Sequence, residues 1–362
     1  MHLGEQNDPP EFMPHIHHHG RGVSVNPRNR FESLALKPGP DWDPQEDPAP
    51  DTVVFEDDAK SLISKQDSPD VPFTASLNPY RGCEHGCIYC YARPYHEYLG
   101  FSAGLDFETK LLAKRNAAAL LRKELSAPSW TPQVLAMSGV TDCYQPIERH
   151  LRLTRACLEV LAEFRNPVAL ISKNRLITRD IDLFKRLADF SGVSVTITVT
   201  SLNADLARDL EPRASVPAAR LQAIRELAGA GIPVGVNVAP IIPGLTDHEI
   251  PTILQAAAEA GANYANYTIV RLPHGVADLF SDWLNRVAPS AKNKILHRIE
   301  SMRDGKLNDT RFGHRMTGNG IFAEQIANMF DLARRRAGIS TDFPTLSTSA
   351  FRSPFGKQEM IF

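Results

Sequence analysis

The feature that most limits what this chain can become is a sixfold alternation of apolar runs with helical stretches between residues 71 and 270. The runs are VPFTASL (Val71–Leu77), QVLAMSG (Gln133–Gly139), PVALISK (Pro167–Lys173), VSVTITVTS (Val193–Ser201), PVGVNVAPI (Pro233–Ile241) and ANYTIV (Ala265–Val270). Between them, Asp106–Leu125, Glu148–Phe164, Arg179–Phe190, Val216–Gly231 and Asp247–Gly261 have the composition or spacing of helices, the last two stopped by glycine. Val193–Ser201 is nearly all β-branched and reads most firmly as a strand. Continuous apolar strands alternating with helices predict a parallel sheet covered on its outer face. Six repeats suit a doubly wound sheet or an incomplete barrel, and in barrels the chemistry gathers at the C-terminal strand ends. SGVTDCYQP, SKN, TSLN, IIPGLTD and RLPHG follow strands two to six, and all are polar or rich in Gly and Pro.

The flanks differ. Residues 1–70 are rich in Pro, Asp, Asn and His, and Lys37–Asp51 (KPGPDWDPQEDPAPD) reads as extended, because repeated prolines remove donors and disfavour helix. The expected organisation is an extended segment over 1–70 that wraps over the domain or is partly disordered, a core domain over 71–279 and a helical extension with a tail over 280–362. The His-rich tract HIHHHG (His15–Gly20) lacks the distributed ligands of a formed metal site and reads as a solvated loop. With 43% hydrophobic and 23% charged residues, the composition is that of a soluble globular protein. A net charge of −2 gives no overall basic excess for holding nucleic acid. No apolar run approaches the roughly 18 residues of a membrane span, and the N-terminus lacks a signal-peptide core, so a cytoplasmic location is expected.

Five cysteines, odd in number and unevenly placed, argue against a disulfide framework. Three of them, Cys83, Cys87 and Cys90, fall within eight residues after the first strand, as Cys-x3-Cys-x2-Cys. Thiolates bind zinc and iron–sulfur clusters. A structural zinc takes four ligands, which here would need His85 or His96. A [4Fe–4S] cluster held by three cysteines keeps one iron open to a small molecule. Three free buried cysteines are the remaining alternative. Gly82 and Gly86 would let the backbone approach a cluster closely.

The triplet, with Tyr89 before its last cysteine and its place after strand one of six, resembles the signature of the radical S-adenosylmethionine (radical SAM) superfamily. Its surroundings, NPYRGCEHGCIYCYAR, resemble the branch related to spore photoproduct lyase, described as DNA-repair-photolyase-like; the resemblance spans Phe73 to Leu279. It implies an α/β fold, an incomplete (β/α)6 TIM-like barrel with an extended N-terminal segment and C-terminal helices. It also implies a [4Fe–4S] cluster on Cys83, Cys87 and Cys90 whose fourth iron is chelated by the amino and carboxylate groups of S-adenosylmethionine (SAM). Reductive cleavage of SAM would give methionine and a 5′-deoxyadenosyl radical that abstracts hydrogen from a substrate. A reductant such as flavodoxin or ferredoxin is implied as a partner, and kinship to a DNA-lesion lyase suggests a nucleic acid as substrate.

The resemblance also gives provisional roles to strand ends. Ser138, Gly139, Thr141 and Asp142 stand where the superfamily binds the methionine amino group, although the common Gly-Gly-Glu form is missing. Lys173 matches a lysine that pairs with the methionine carboxylate. Thr200 and Ser201 would bond the ribose or the methionine end. Pro240, Ile242, Gly244 and Asp247 align with a G-x-I-x-G-x-x-E adenine motif, with Pro and Asp in place of its first Gly and its Glu. Ile242 would pack on adenine, Gly244 would permit the turn, and Tyr89 would pack near the cofactor. Glu211 and Arg213 would orient SAM or substrate, or pair with each other. Gly139 occupies the place of the hydrogen-donating cysteine of spore photoproduct lyase. Cys143 is expected to face the substrate cavity as a thiol donor, its alternative being a small packing residue, and Cys157 is expected in the core.

Two other readings remain: a zinc-binding Cys3His scaffold protein, and a degenerate radical SAM protein with a structural cluster. Two basic runs, KNRLITR (Lys173–Arg179) and ARRRAG (Ala333–Gly338), are candidates for a phosphate track, with solvated surface as their alternative.

Overall fold

The computed structural model describes residue 18, residues 20–32 and residues 51–353. Its strands are β1 (Val53–Glu56), β2 (Ile63–Lys65), β3 (Ala75–Leu77), β4 (Tyr80–Arg81), β5 (Lys110–Ala113), β6 (Leu135–Met137), β7 (Val168–Ser172), β8 (Val193–Thr198), β9 (Val234–Ile241) and β10 (Tyr264–Ile269). Seven form one sheet in the order β10-β9-β8-β7-β6-β3-β2. The six strands from β3 to β10 are parallel, and β2 is added antiparallel at the edge. These six are the six runs of the sequence, in sequential order. The sheet stays open between β10 and β2, so the architecture is a partial barrel.

Register explains which face is which. Leu77, Met137, Leu170, Val195 and Val234 form one row across five strands, and every one is buried. They join the main core with Leu158 and Leu161 of the helix Leu153–Phe164 and Ile224 and Leu227 of the helix Pro217–Gly229. The alternate rows carry small or polar residues: Thr196–Gly235–Tyr264, then Thr198–Asn237–Asn266. Alternation along each strand puts these on the opposite face, toward the lumen. Tyr264 fills that face over Gly235, where a Cβ would lie 2.3 Å from its ring.

The C-terminal tail closes the end away from the expected chemistry. Ser340 pairs with Tyr264, the Ser347 N–H reaches the Ser191 carbonyl and the Arg352 N–H the Phe164 carbonyl, all near strand starts. The outer edge of β10 donates Ile269 N–H to the Met316 carbonyl, which covers part of an edge that would otherwise pair with other chains. Asp70 crosses the open side to the Gly313 N–H and to Arg315.

Two expectations are corrected, the helix over Asp106–Leu125 and the boundary at 279. Asp106–Leu125 is not one helix: Leu105–Thr109 and Ala117–Ser126 are helical, and β5 lies between them in a small sheet ordered β1-β5-β4. The segment before residue 70 supplies β1 and β2, one to each sheet, so it is built into the fold. The boundary at 279 falls inside the continuous helix Val276–Val287, whose Leu279 and Phe280 pack with Tyr89 and Ile242. The helices Lys292–Ser301 and Gly320–Arg336 follow. The tract at 15–20 lies outside the described residues except for His18 and Gly20, as do residues 33–50 of the proline-rich stretch.

Candidate active site

β4 delivers the chain into Gly82, and the cysteine loop then turns between β4 and the short helical turn Arg93–Leu99. Gly82 and Gly86 take φ of +78° and +67°, the left-handed region that favours glycine. The loop is tied down at each step. Cys83 N–H bonds the Phe107 carbonyl at 2.9 Å, Ile88 N–H the Leu210 carbonyl at 3.0 Å, and Cys90 N–H the Cys87 carbonyl at 3.2 Å. Arg93 donates its Nε to the Cys87 carbonyl at 3.0 Å and pairs with Glu108; neither side chain of the pair has exposed surface.

An N-terminal strap covers this loop. The Glu108 carboxylate accepts the N–H groups of Gly22 (2.9 Å) and Val23 (3.3 Å). Gly22 lies on Gly86 so closely that a Cβ there would stand 1.7 Å from the Gly86 carbonyl oxygen. A continuous path therefore runs from the strap through Glu108 and Arg93 to the carbonyl of Cys87.

Burial pushes the thiols of Cys83, Cys87 and Cys90 above the ordinary range, and the cysteines' mutual repulsion adds to this for Cys83 and Cys87. Such thiols ionise when they bind a cationic centre, as metal thiolates do. The histidines are committed elsewhere. His85 sits between Asp142 (3.4 Å) and Asn174 (3.2 Å), and His96 Nε2 is 2.9 Å from the Lys110 carbonyl. Burial lowers His96 to about 4. Among the described residues no three His, Cys, Asp or Glu side chains gather as for a single metal ion. With both histidines engaged, the triplet lacks the fourth protein ligand that a Cys3His zinc would need.

Beside the loop, Glu211 anchors a buried network. Its carboxylate takes hydrogen bonds from Tyr89 and, at 2.6 Å, Thr200, and pairs with Arg220 and with Lys173 at 3.3 Å. Burial alone would raise Glu211, but Arg220, Lys173 and the two hydroxyls hold it well below the ordinary carboxylate range. Two cations thus face one carboxylate. The surplus positive charge, on Lys173 beside the Tyr89 ring (5.8 Å), fits an anionic ligand group.

The loop after β6 is built differently. Ser138 has φ +82° and accepts the Cys143 N–H at 2.9 Å. Gly139 N–H bonds Asn78 at 3.0 Å, and the Gly139 carbonyl accepts the Tyr91 hydroxyl at 2.6 Å. Thr141 Oγ1 is buried without a partner. Asp142 faces inward, accepting Ser172 Oγ (2.9 Å), Lys173 N–H (2.8 Å) and Tyr144 N–H (2.9 Å). Ser201 bonds Glu249 at 2.6 Å, and Glu249 also takes the Leu202 N–H, so a carboxylate two residues after Asp247 ties strand ends four and five together. Ile242 is buried with Cys87 and Tyr89. Gly244 has φ +85° and lies against Arg298, where a Cβ would meet Nη1 at 3.0 Å.

The structure changes two expectations here. Glu211 and Arg213 do not pair; Arg213 reaches Glu84 at 3.1 Å, because Arg220 and Lys173 already occupy Glu211. Cys143 does not face a cavity. It has no exposed surface and packs in the main core, where burial pushes its thiol far up, so the packing alternative describes it. Cys157 is also in that core. The basic runs are largely neutralised: Arg175 pairs with Glu226, Arg179 with Glu148 and Asp180, and Arg334 and Arg335 with Asp331. Sequence reasoning missed Asn78, Tyr91, Glu108 and Arg271. Asn78 and Tyr91 lie within NPYRGCEHGCIYCYAR and Arg271 within RLPHG, stretches already singled out but without a role for these residues, whereas Glu108 lies in a stretch read as plain helix.

The fold and this cysteine site define the class. A family model of the Radical SAM superfamily matches residues 77–257, and the chain belongs to that superfamily. It is 37% identical over 233 residues to an uncharacterized protein of Mycobacterium tuberculosis, covering 64% of this chain and 68% of that one. A Methanocaldococcus jannaschii protein, also uncharacterized, is 31% identical, with 53% of this chain and 68% of that one covered. The Radical SAM Nalpha-GlyT isomerase of Pseudomonas phage M6 is 28% identical, over 58% of this chain and 42% of its own. Among solved structures, a spore photoproduct lyase variant with bound AdoMet and dinucleoside spore photoproduct superposes with a TM-score of 0.56 at 17% identity, covering 81% of this chain and 82% of that one. This likeness is one of fold.

Proposed function

We propose that the protein is a radical SAM enzyme whose Cys83, Cys87 and Cys90 hold a [4Fe–4S] cluster, and that a nucleic acid is its substrate. The observation that carries the first part is the cysteine loop itself. Three thiols lie at the C-terminal end of an open parallel sheet, tied down from every side, with both neighbouring histidines engaged elsewhere. When bound, the cluster and SAM together supply a 5′-deoxyadenosyl radical for hydrogen abstraction. The chain's own residues do the rest. Lys173 presents its charge to the methionine carboxylate, while Glu211 and Thr200 hold Lys173 and Tyr89 in place. Thr141 offers an unpartnered hydroxyl on the methionine side. Ile242 provides an apolar wall and Gly244 the turn beside it. The strap covers the outside of the cysteine loop at Gly86. An external reductant such as flavodoxin or ferredoxin would deliver the electron. Among the described residues no helix is long and apolar enough to cross a membrane.

The nucleic-acid part is supported by the dinucleoside photoproduct named with the fold neighbour. Anaerobic reconstitution tests the enzyme reading. Iron and acid-labile sulfide in equal amounts, with 5′-deoxyadenosine formed after reductant and SAM, are expected. Stoichiometric zinc without sulfide would establish the scaffold reading, and a cluster without 5′-deoxyadenosine the degenerate one. Cys143→Ala should leave the 5′-deoxyadenosine yield unchanged.

A further inference from the structure

We propose that Arg271 is the docking point for a phosphate of the substrate, at the rim of the barrel mouth beside the cysteine loop. The inference rests on the nucleic-acid reading above and gives it a site.

Arg271 stands two residues beyond β10, in the RLPHG turn. Its guanidinium lies over the Tyr91 ring, 4.5 Å from the centroid. Tyr91 directly follows Cys90, and its hydroxyl is fixed on the Gly139 carbonyl. One cation thus links the end of the last strand to the cysteine loop, and Tyr91 links that loop to the one after β6. Its plane is preset by the ring before any ligand arrives.

Among the described residues, no carboxylate pairs with this guanidinium and no acceptor takes its N–H groups. Its surroundings do not neutralise it. Arg315 repels it, and Asp70, a carboxylate that acts on it, is committed to Arg315 and the Gly313 N–H. Burial lowers the Arg271 pKa, the mark of a cation partly stripped of water. A half-buried guanidinium that has lost water without gaining an acceptor is costly to the fold. An incoming anion supplies that acceptor, and a planar fork of donors matches a phosphate. The contrast with the basic runs is direct, since Arg175, Arg179, Arg334 and Arg335 all spend their charge on neighbouring carboxylates. Beside Arg271, Tyr91 and Tyr95 are 41% and 55% exposed as whole residues, and exposed aromatic residues can stack bases without regard to sequence. Phosphate donor and stacking surface together describe a site for a single-stranded or extruded nucleotide next to the radical source.

The test is fluorescence anisotropy of a labelled single-stranded oligothymidylate on the reconstituted protein across a salt series, with duplex DNA and RNA in parallel. Arg271→Gln should weaken binding about tenfold and lower the salt slope by about one ion. Arg271→Lys, which keeps the charge but not the fork, should fall between. Arg336→Gln, which removes the same charge from an exposed helix end, should bind as the parent does. If the parent binds and Arg271→Gln binds equally well, the site is wrong and the nucleic-acid reading survives. If the parent binds none of the probes at low salt, both fall. If Arg271→Gln loses SAM binding to the same degree as oligonucleotide, the residue belongs to the cofactor and the proposal is overturned.

Discussion

The cysteine loop and the loop after β6 lie at the same end of the sheet, yet they are finished in opposite ways. The cysteine loop is completed by protein. Its glycines, its backbone bonds, the Arg93–Glu108 pair and the strap fix it. The loop after β6 holds its shape through Ser138, Asn78 and Asp142, yet keeps a buried Thr141 hydroxyl without a partner. One loop is closed by contacts within the protein; the other keeps a buried hydroxyl that a bound ligand would satisfy. A cluster that must survive turnover needs the first kind of support, and a cosubstrate that must leave needs the second.

The contrast can be broken at the cysteine loop with the largest effect. Glu108→Gln leaves Arg93 charged, buried and unpaired, which should cost about 3–5 kcal/mol. Denaturant unfolding of the apoprotein should show that loss, with iron content falling alongside. Full stability would mean that the pair does not hold the loop. Gly22→Val is next. Its side chain must displace the strap from Gly86, at about 1–3 kcal/mol, and the iron–sulfur absorption should decay faster in air. An unchanged decay would free the strap from any shielding role. The smallest effect belongs to the other loop. Thr141→Val removes a hydroxyl that bonds nothing, so stability should shift by no more than about 0.5 kcal/mol while SAM binds severalfold more weakly. A clear stability loss with unchanged SAM affinity would reverse the comparison.

The same contrast explains what could be read from sequence. The six parallel strands were legible because buried strands need continuous apolar residues, and Val193–Thr198 satisfies that alone. The strand Lys110–Ala113 was not, since KLLAKRNAAALLRKEL is made of helix formers, and only pairing with Val53–Glu56 across about 55 residues of chain makes it extended. The cysteine triplet was legible because its three thiols fall within eight residues of sequence. Its support was not: Gly22, Glu108 and Arg93 meet through long-range contacts that no local spacing encodes. Glu211 and Arg213 look like partners two residues apart, yet Arg220, one helical turn into the next element, takes the carboxylate instead. Arg271 lay in a flagged turn, but only the structure shows that no carboxylate among the described residues pairs with it.

The central claim is that three cysteines hold a cluster with one iron left for SAM, and electron paramagnetic resonance tests it most directly. The reconstituted, reduced protein should give a [4Fe–4S]⁺ signal whose g values shift when SAM is added, and replacing Cys83, Cys87 or Cys90 by Ser should abolish both signal and shift. A reduced-cluster spectrum unmoved by saturating SAM, or one that survives loss of any of these cysteines, would contradict it.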